Sequence, residues 1–574
     1  MIQRLSDRLF SDDYDKVLSI LLVFAVVVIL AGIGLRSPWP ADEPRFAEVA
    51  REMVMSGNWF FPMRGGELYP DKPPVFMWAI AFFYWLTGNI NVSFLLPSAL
   101  ASLITLVCVY DLAAKLWSVK VARHAFWLLM LVPQFVLQAK TAQIDALVTC
   151  WITLAMYGFI RHFYIQESWP WFFLSWCFMG LGVITKGVGF LPVFFLIPVM
   201  VERYWQHRQF DRRVILKSSA GLLWMLGVIA LWLIPMLILA QLSHNPDFMA
   251  YRDNILFKQT GERYANAWHH IEPWYYYLVS VIPVFWFPIP LLLLSRRLWR
   301  HIFNHPVQIS LFAWVALVVL FFSLSPGKRG VYIFPALPML ALICAPWLAS
   351  CPIHRWIERV IQGVLITLSA AFFVTAVLLI FQVPSLIKHL GDDPNWVVFM
   401  LFFLVVGGIW STVLYRLRNQ SSLNVFGVLM GITWLLYSTW GYMLLEPIRT
   451  PAKQIMDNIA VRLGDHGELG LVNFKEQFLL FSQQPVTHFS YLSPAAEQYR
   501  NAWQWMQAAP DRYILMPQHQ NIECFDPQKA DTVGYGHRTF WLLYDISSVK
   551  ASCQPPKQVK QYQMPFHPQD HEGA

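Results

Sequence analysis

The chain has 574 residues, of which 56% are hydrophobic and only 14% charged, with a formal net charge of +8. A water-soluble protein carries about 25% charged residues, so the composition excludes an ordinary soluble enzyme and points to a chain that crosses a bilayer many times. Nucleic acid is excluded as a partner despite the basic balance. The Lys and Arg residues form no single patch and fall in short bursts between apolar runs, as the positive-inside rule requires.

In chain order, MIQRLSDRLFSDDYDK leads into a first apolar run at 17–35. It has no small-residue cleavage site and reads as a signal-anchor span. Further apolar segments follow at 75–88, 92–112, 123–138, 144–162, 170–185, 188–202, 217–241, 274–294, 307–325, 331–349, 358–382, 395–414 and 424–445, making 14 in all. The bursts Lys115/Lys120/Arg123, Arg203/Arg208/Arg212/Arg213/Lys217, Arg296/Arg297/Arg300, Arg355/Arg359 and Arg416/Arg418 are placed in the cytoplasm. Residues 36–74 then lie outside, and an odd number of crossings must separate them from the burst at 115–123. The 75–88 segment is the shortest, at 14 residues, and reads as juxtamembrane or re-entrant. The expected fold class is mainly α: a polytopic helical membrane protein with about 13 transmembrane helices over 1–445.

The tail, 446–574, changes character. Short β-like runs (ELGLVNF, RYILM, TFWLLYDI) alternate with helix-like stretches (AKQIMDNIAVRLG, AAEQYRNAWQWMQAA), which predicts a small α/β extracytoplasmic C-terminal domain. Five of the seven cysteines lie in or beside apolar runs and read as core fillers. Cys524 and Cys553 lie in the polar tail, where an oxidising compartment would let them pair. No Cys/His spacing suggests a structural zinc site.

Outer connections should be poor in Lys and Arg, yet several are not. Residues 36–74 hold Arg36, Arg45, Arg51, Arg64 and Lys72; 242–273 hold Arg252, Lys258, Arg263, His269 and His270; SPGKRGVY (325–332) holds Lys328, Arg329 and Tyr332. Asp145 in AKTAQIDAL and Lys186 in ITKG are further outer polar points. An anionic headgroup at the outer surface would explain these exceptions.

The stretch PWPADEPRFAEVAREM builds as an interfacial helix. Asp42 caps it, Pro44 fits the first turn, and Phe46, Val49, Ala50 and Met53 share a face. Glu48, Arg51 and Glu52 are expected on the wet side, in spaced ion pairs. Singly, each residue has a plainer reading. Asp42 and Asp145 serve as helix caps, Lys186 and Lys328 snorkel to headgroups, and the histidines act as interfacial aromatics. Their joint placement at span ends on one side is what argues for a site.

These motifs resemble a known family. PADEPRFAEVAREM followed by YPDKPP, the outer acid of QID, TKG after the next span and the late GK…Y turn are similar to the GT-C glycosyltransferases. Among these, the nearest likeness is to the bacterial lipid A aminoarabinose transferases and their relatives in the protein O-mannosyltransferase superfamily. The likeness covers most of 17–445 in order and is weak over the tail. It implies a membrane enzyme of the bacterial inner membrane, working as a monomer at the periplasmic face. Such an enzyme moves a sugar from a polyprenyl carrier such as undecaprenyl phosphate to lipid A, another envelope glycan or a protein.

By this resemblance Asp42, Glu43 and Asp145 are the catalytic acids, and Arg45, Phe46, Tyr69, Lys72, Arg263, Lys328 and Tyr332 bind substrate. Phe46 stands where the family carries Tyr. Asp71 and His270 match positions that in the family hold zinc, but Asp71 replaces a Glu one methylene longer. No cofactor is required, and zinc or another divalent metal is what the family adds at that pair. A transporter or flippase is the rival reading; it calls for mid-membrane charges or broken helices in paired repeats. The centres of these apolar runs are nearly free of charge, and no repeat is visible.

Overall fold

The computed structural model describes residues 12–208, 212–256, 270–387, 395–464, 467–518 and 523–563. The chain folds as two compact units. One comprises residues 1–33, 95–239 and 252–444; the other comprises 34–94, 240–251 and 445–574. Residues 36–74 and the tail thus fall in the same unit, although about 350 largely apolar residues separate them.

The first unit is helical, and its helices coincide with the apolar segments. Among the described residues of the chain, seven helices are long and apolar enough to cross a membrane, or eight if a bent pair counts as one span. The bent pair is Val119–Leu131 and Pro133–Ala139, which meet at 74°. Pro133 opens the second piece, and a proline there lacks the N–H that would continue the first. The expected continuous run at 274–294 is instead three short pieces, Tyr277–Val281, Ile282–Phe285 and Ile289–Leu293. Pro283, Pro288 and Pro290 account for the breaks. Burial sorts the spans: 83% of the most apolar window of Ile144–Ile165 is buried, against 11% for Arg212–Ser243, whose Leu216, Leu223 and Leu231 face outward. The second is a lipid-facing helix, the first a core one.

Helices Ile144–Ile160 and Trp169–Lys186 form a tight antiparallel pair. A Cβ at Gly158 would come within 2.5 Å of the Trp171 carbonyl oxygen, so only glycine permits this approach. The pair places the start of one helix, at Asp145, beside the end of the other, at Lys186.

In the second unit, Glu43–Ser56 is helical. β1 (Met63–Arg64) and β2 (Glu67–Leu68) form a hairpin, followed by helix Val75–Thr87. The tail forms a six-stranded sheet from β3 (Glu468–Leu471), β4 (Val486–His488), β5 (Arg512–Pro517), β6 (Asp531–Gly536), β7 (Thr539–Tyr544) and β8 (Tyr562–Gln563). The strand order is β6-β7-β5-β3-β4-β8, with β3 parallel to β4 and β5 and the remaining pairs antiparallel. Its parallel centre is buried on both faces. One face packs Ile455, Ile459, Phe478 and Trp541 and the other Tyr499, Trp505, Ile514 and Met516. Cys524 and Cys553 form a disulfide, the pairing the compartment argument left open.

Candidate functional site

Two clusters of polar side chains stand out, one in each unit. In the second unit, the turn before the Glu43–Ser56 helix is closed by a carboxylate. Arg36 forks onto both oxygens of Glu43, at 2.5 and 2.8 Å, and the Trp39 amide donates to Glu43 Oε2 at 2.8 Å. Such bidentate charged pairs are the strong hydrogen bonds. Glu446 takes the Ser37 amide and the Trp39 indole N–H, at 3.0 and 2.7 Å. Both Glu43 oxygens are therefore engaged in shaping the turn. Asp42, beside it, is half-buried and sits at the N-cap position, but its side chain makes no capping bond, contrary to the cap expectation.

The helix also departs from its expected amphipathic character. Glu48, Arg51 and Glu52 do not face water; they are 0%, 4% and 1% exposed. The expectation of a wet face is corrected: the hairpin and the C-terminal domain cover it. Arg51 pairs with Glu48 at 2.9 Å and donates to the Leu479 carbonyl at 2.9 Å. Glu52 accepts from the amides of Gly65 and Gly66, at 2.8 and 2.7 Å. Burial first, then the Glu48 carboxylate, pushes Glu52 up to about 8, against the two amides that favour its charged form. Burial raises Glu48 as well, opposed by Arg51.

Arg45 projects from the same helix, and Glu476 Oε1 takes its Nε at 3.1 Å. The same oxygen binds Arg64 at 2.6 Å. Tyr69 is fully buried and interacts electrostatically with Arg45 and Asp71. Phe46 is buried edge-on against Phe76, their ring centres 5.2 Å apart. Asp71 is exposed and Lys72 half-buried. The Lys72 carbonyl accepts from the Tyr251 hydroxyl at 3.4 Å.

The first unit holds the other cluster. Asp145 pairs directly with Lys186, whose ammonium lies 4.7 Å from the centre of the Tyr332 ring. Lys328 is buried; its ammonium donates to the carbonyls of Glu272 and Ser325, at 2.7 and 2.6 Å. An ammonium has three protons, so these two bonds aim the group without exhausting it. The Lys328 amide in turn donates to the His270 carbonyl at 2.9 Å, which ties the exposed His270 to the turn. Arg263 and His269 lie outside the described residues.

A zinc ion takes three or four protein ligands. Among the described residues no group of three or more His, Cys, Asp or Glu side chains could hold one. Asp71 belongs to the second unit and His270 to the first.

Several residues of these clusters escaped the sequence reading. Glu476 and Glu446 lie in a tail that carried no motif. The hairpin had a signal that went unused: Gly65-Gly66 between short runs, the two-residue turn that requires positive φ at both positions.

Comparison with known proteins agrees with the motif likeness. Residues 71–239 match the model of the dolichyl-phosphate-mannose-protein mannosyltransferase family. The undecaprenyl phosphate-alpha-4-amino-4-deoxy-L-arabinose arabinosyl transferase of Yersinia enterocolitica is 28% identical over 343 residues, covering 58% of this chain and 59% of that protein. The enzyme of the same name from Photorhabdus laumondii is 26% identical over 69% of this chain and 70% of its own length. The alignment thus spans about three fifths of the first relative. Among solved structures, ArnT from Cupriavidus metallidurans bound to undecaprenyl phosphate superposes with a TM-score of 0.69 at 19% identity, covering 92% of this chain and 97% of that one. The chain has the GT-C fold and is similar to the aminoarabinose transferases, in line with the sequence motifs.

Proposed function

We propose that this chain is an integral-membrane glycosyltransferase that moves aminoarabinose from undecaprenyl phosphate to a phosphate of lipid A. The observation that supports this reading best is the assembly of Asp145, Lys186 and Tyr332, three residues that stood out in the sequence as outer exceptions at separate span ends. Lys328, buried and aimed by two carbonyls, adds a second cation in the same unit. The names of the similar transferases support the donor, undecaprenyl-phosphate aminoarabinose, and the lipid A acceptor is the proposal's own step.

The reaction forms a bond from an acceptor oxygen to the anomeric carbon and breaks the bond from that carbon to the carrier phosphate. The leaving phosphate gains charge in the transition state, where fixed cations contribute most. Lys186 and Lys328 are assigned to it, with Tyr332 donating a hydrogen bond and Asp145 holding Lys186. A lipid A phosphate is already ionised and needs no base. Asp42 then orients the ammonium of the aminosugar, Glu43 holds the turn that carries Asp42, and Arg45 receives the acceptor phosphate. The mannosyltransferase family match favours a second reading, transfer to a protein or glycan hydroxyl. In that case Asp42 serves as the general base. The proposed setting is the bacterial inner membrane, with 13 crossings, and with residues 36–74 and the tail on the periplasmic side.

Both readings predict that Asp42→Asn lowers transfer by about a hundredfold or more. Mass spectrometry of lipid A and glycoproteins, from cells with the intact chain, the variant or neither, measures this. Transfer at the normal rate by the variant would refute the role of Asp42. Loss of a protein glycan with lipid A unchanged would select the second reading.

A further inference from the structure

The C-terminal sheet runs from β3 to β4 on one side and then returns past β3 to β5 on the other. Just beyond the carboxyl ends of the parallel neighbours β3 and β4 stand Asn473 and Ser490, both with positive φ (59° and 67°). The chain's own first-loop hairpin packs against the end of β4. His488 Nε2 donates to the Gly65 carbonyl at 2.8 Å. Glu67 accepts from the Ser490 hydroxyl and the Tyr491 amide, at 2.6 and 2.9 Å, and the Tyr491 hydroxyl donates to the Leu68 carbonyl. A Cβ on Gly65 would lie 2.8 Å from the Phe474 ring and 2.9 Å from His488, so the hairpin tip is fitted to its seat.

Next to that tip, the Arg64 guanidinium lies 4.9 Å from the Phe474 ring centre and 4.2 Å from that of Tyr491. Two rings and a carboxylate fix it, and the carboxylate is Glu476, which also takes Arg45 Nε. Side-chain exposure is 13% for Arg64, 9% for Glu476 and 30% for Arg45. The anchored end of this series is buried, and the end nearest solvent is Arg45.

We propose that Glu476 is a positioning residue for Arg45. The C-terminal domain holds the first-loop hairpin as an internal ligand, and through Glu476 it sets the direction of the Arg45 guanidinium. Glu476 uses the Nε edge, so the two terminal nitrogens, which fork a phosphate, are not spent on it. Without the carboxylate charge, the hold on Arg45 beyond its interaction with Tyr69 weakens, and two cations face each other across a neutral group. This inference rests on the reading of Arg45 as the contact for the acceptor phosphate.

The test is steady-state kinetics of the purified full-length enzyme with undecaprenyl-phosphate aminoarabinose and lipid A. Glu476→Gln keeps the size of the side chain and removes its charge. It is expected to raise the acceptor KM about tenfold, to leave the donor KM within about twofold, and to unfold near the wild-type temperature. Glu476→Asp recovers part of the loss. In an Arg45→Ala background, Glu476→Gln adds less than about twofold, because the group it positions is gone. Equal effects on kcat and both KM values, or a full added effect on top of Arg45→Ala, would overturn the proposal. If Arg45→Ala raises the acceptor KM and neither Glu476 variant does, the positioning role alone fails. If Arg45→Ala leaves that KM unchanged, or the wild-type chain transfers nothing to lipid A, the functional reading fails and takes this inference with it.

Discussion

Glu52 is a buried carboxyl held by two glycine amides, and its burial has a titration consequence. Desolvation and the neighbouring Glu48 raise it from 4.5 to about 8, so between those values the folded chain holds a proton that the unfolded chain has lost. Stability therefore falls as pH rises from about 4.5 to about 8, and Glu48, also raised, adds to the slope. Glu52→Gln is expected to flatten this dependence. The slope is the readout, since a Gln amide also sets a donor against one of the two glycine amides. Thermal unfolding of the detergent-solubilised protein across pH 5 to 9 measures it. An unchanged slope in Glu52→Gln would show that Glu52 is already ionised when folded. The helix that carries Glu52 was legible in part. Its apolar period put Phe46, Val49, Ala50 and Met53 on one face, expected at the membrane interface, and all four are buried within the protein. The same period put Glu48, Arg51 and Glu52 in water, and they are buried. The covering residues, Gly65, Gly66 and Leu479, come partly from more than 400 positions away, and no local pattern reports them.

At the scale of elements, the sequence was legible wherever apolar length or proline alone decides. Every apolar segment became helical, but the runs at 123–138 and 274–294 were read as continuous although their prolines had marked the breaks. The tail's strands and helices were legible from alternation, whereas the way its sheet grips the hairpin was not, because that depends on backbone positions rather than on residue type. Gly66 makes the point testable. It has φ +82°, and a Cβ there would lie 2.5 Å from the Gln563 carbonyl oxygen, on the edge strand β8. Neither the turn nor a backbone atom can yield cheaply. Gly66→Ala is expected to destabilise the second unit by about 1–3 kcal/mol. The expected readouts are a lower unfolding temperature and faster proteolysis between residues 57 and 70. A wild-type melting curve would mean that the hairpin is not seated as described.

At the scale of the whole molecule, the second unit constrains the topology more tightly than charge counting did. Arg45 and Arg64 of the first loop bind Glu476 of the tail, so these segments share one side of the membrane. The number of crossings between them must then be even. The apolar segments from 75–88 to 424–445 number 13, so at least one does not cross. The Val75–Thr87 helix is the natural exception. It is short, and it belongs with the first loop and the tail rather than with the helical unit. The two arguments are independent: one uses the sign of loop charges, the other the connectivity of a folded domain. Single-cysteine variants at Ser56, Asn304 and Val461, all exposed, test them together in a background lacking the five free cysteines. With a membrane-impermeant maleimide on cells whose outer barrier is permeabilised, Ser56→Cys and Val461→Cys should label and Asn304→Cys should label only after lysis. If 75–88 did cross, Ser56 and Asn304 would label alike. If Ser56 and Val461 labelled from opposite sides, the ion pairs joining Glu476 to the first loop could not exist, and the positioning of Arg45 from the tail would fall with them.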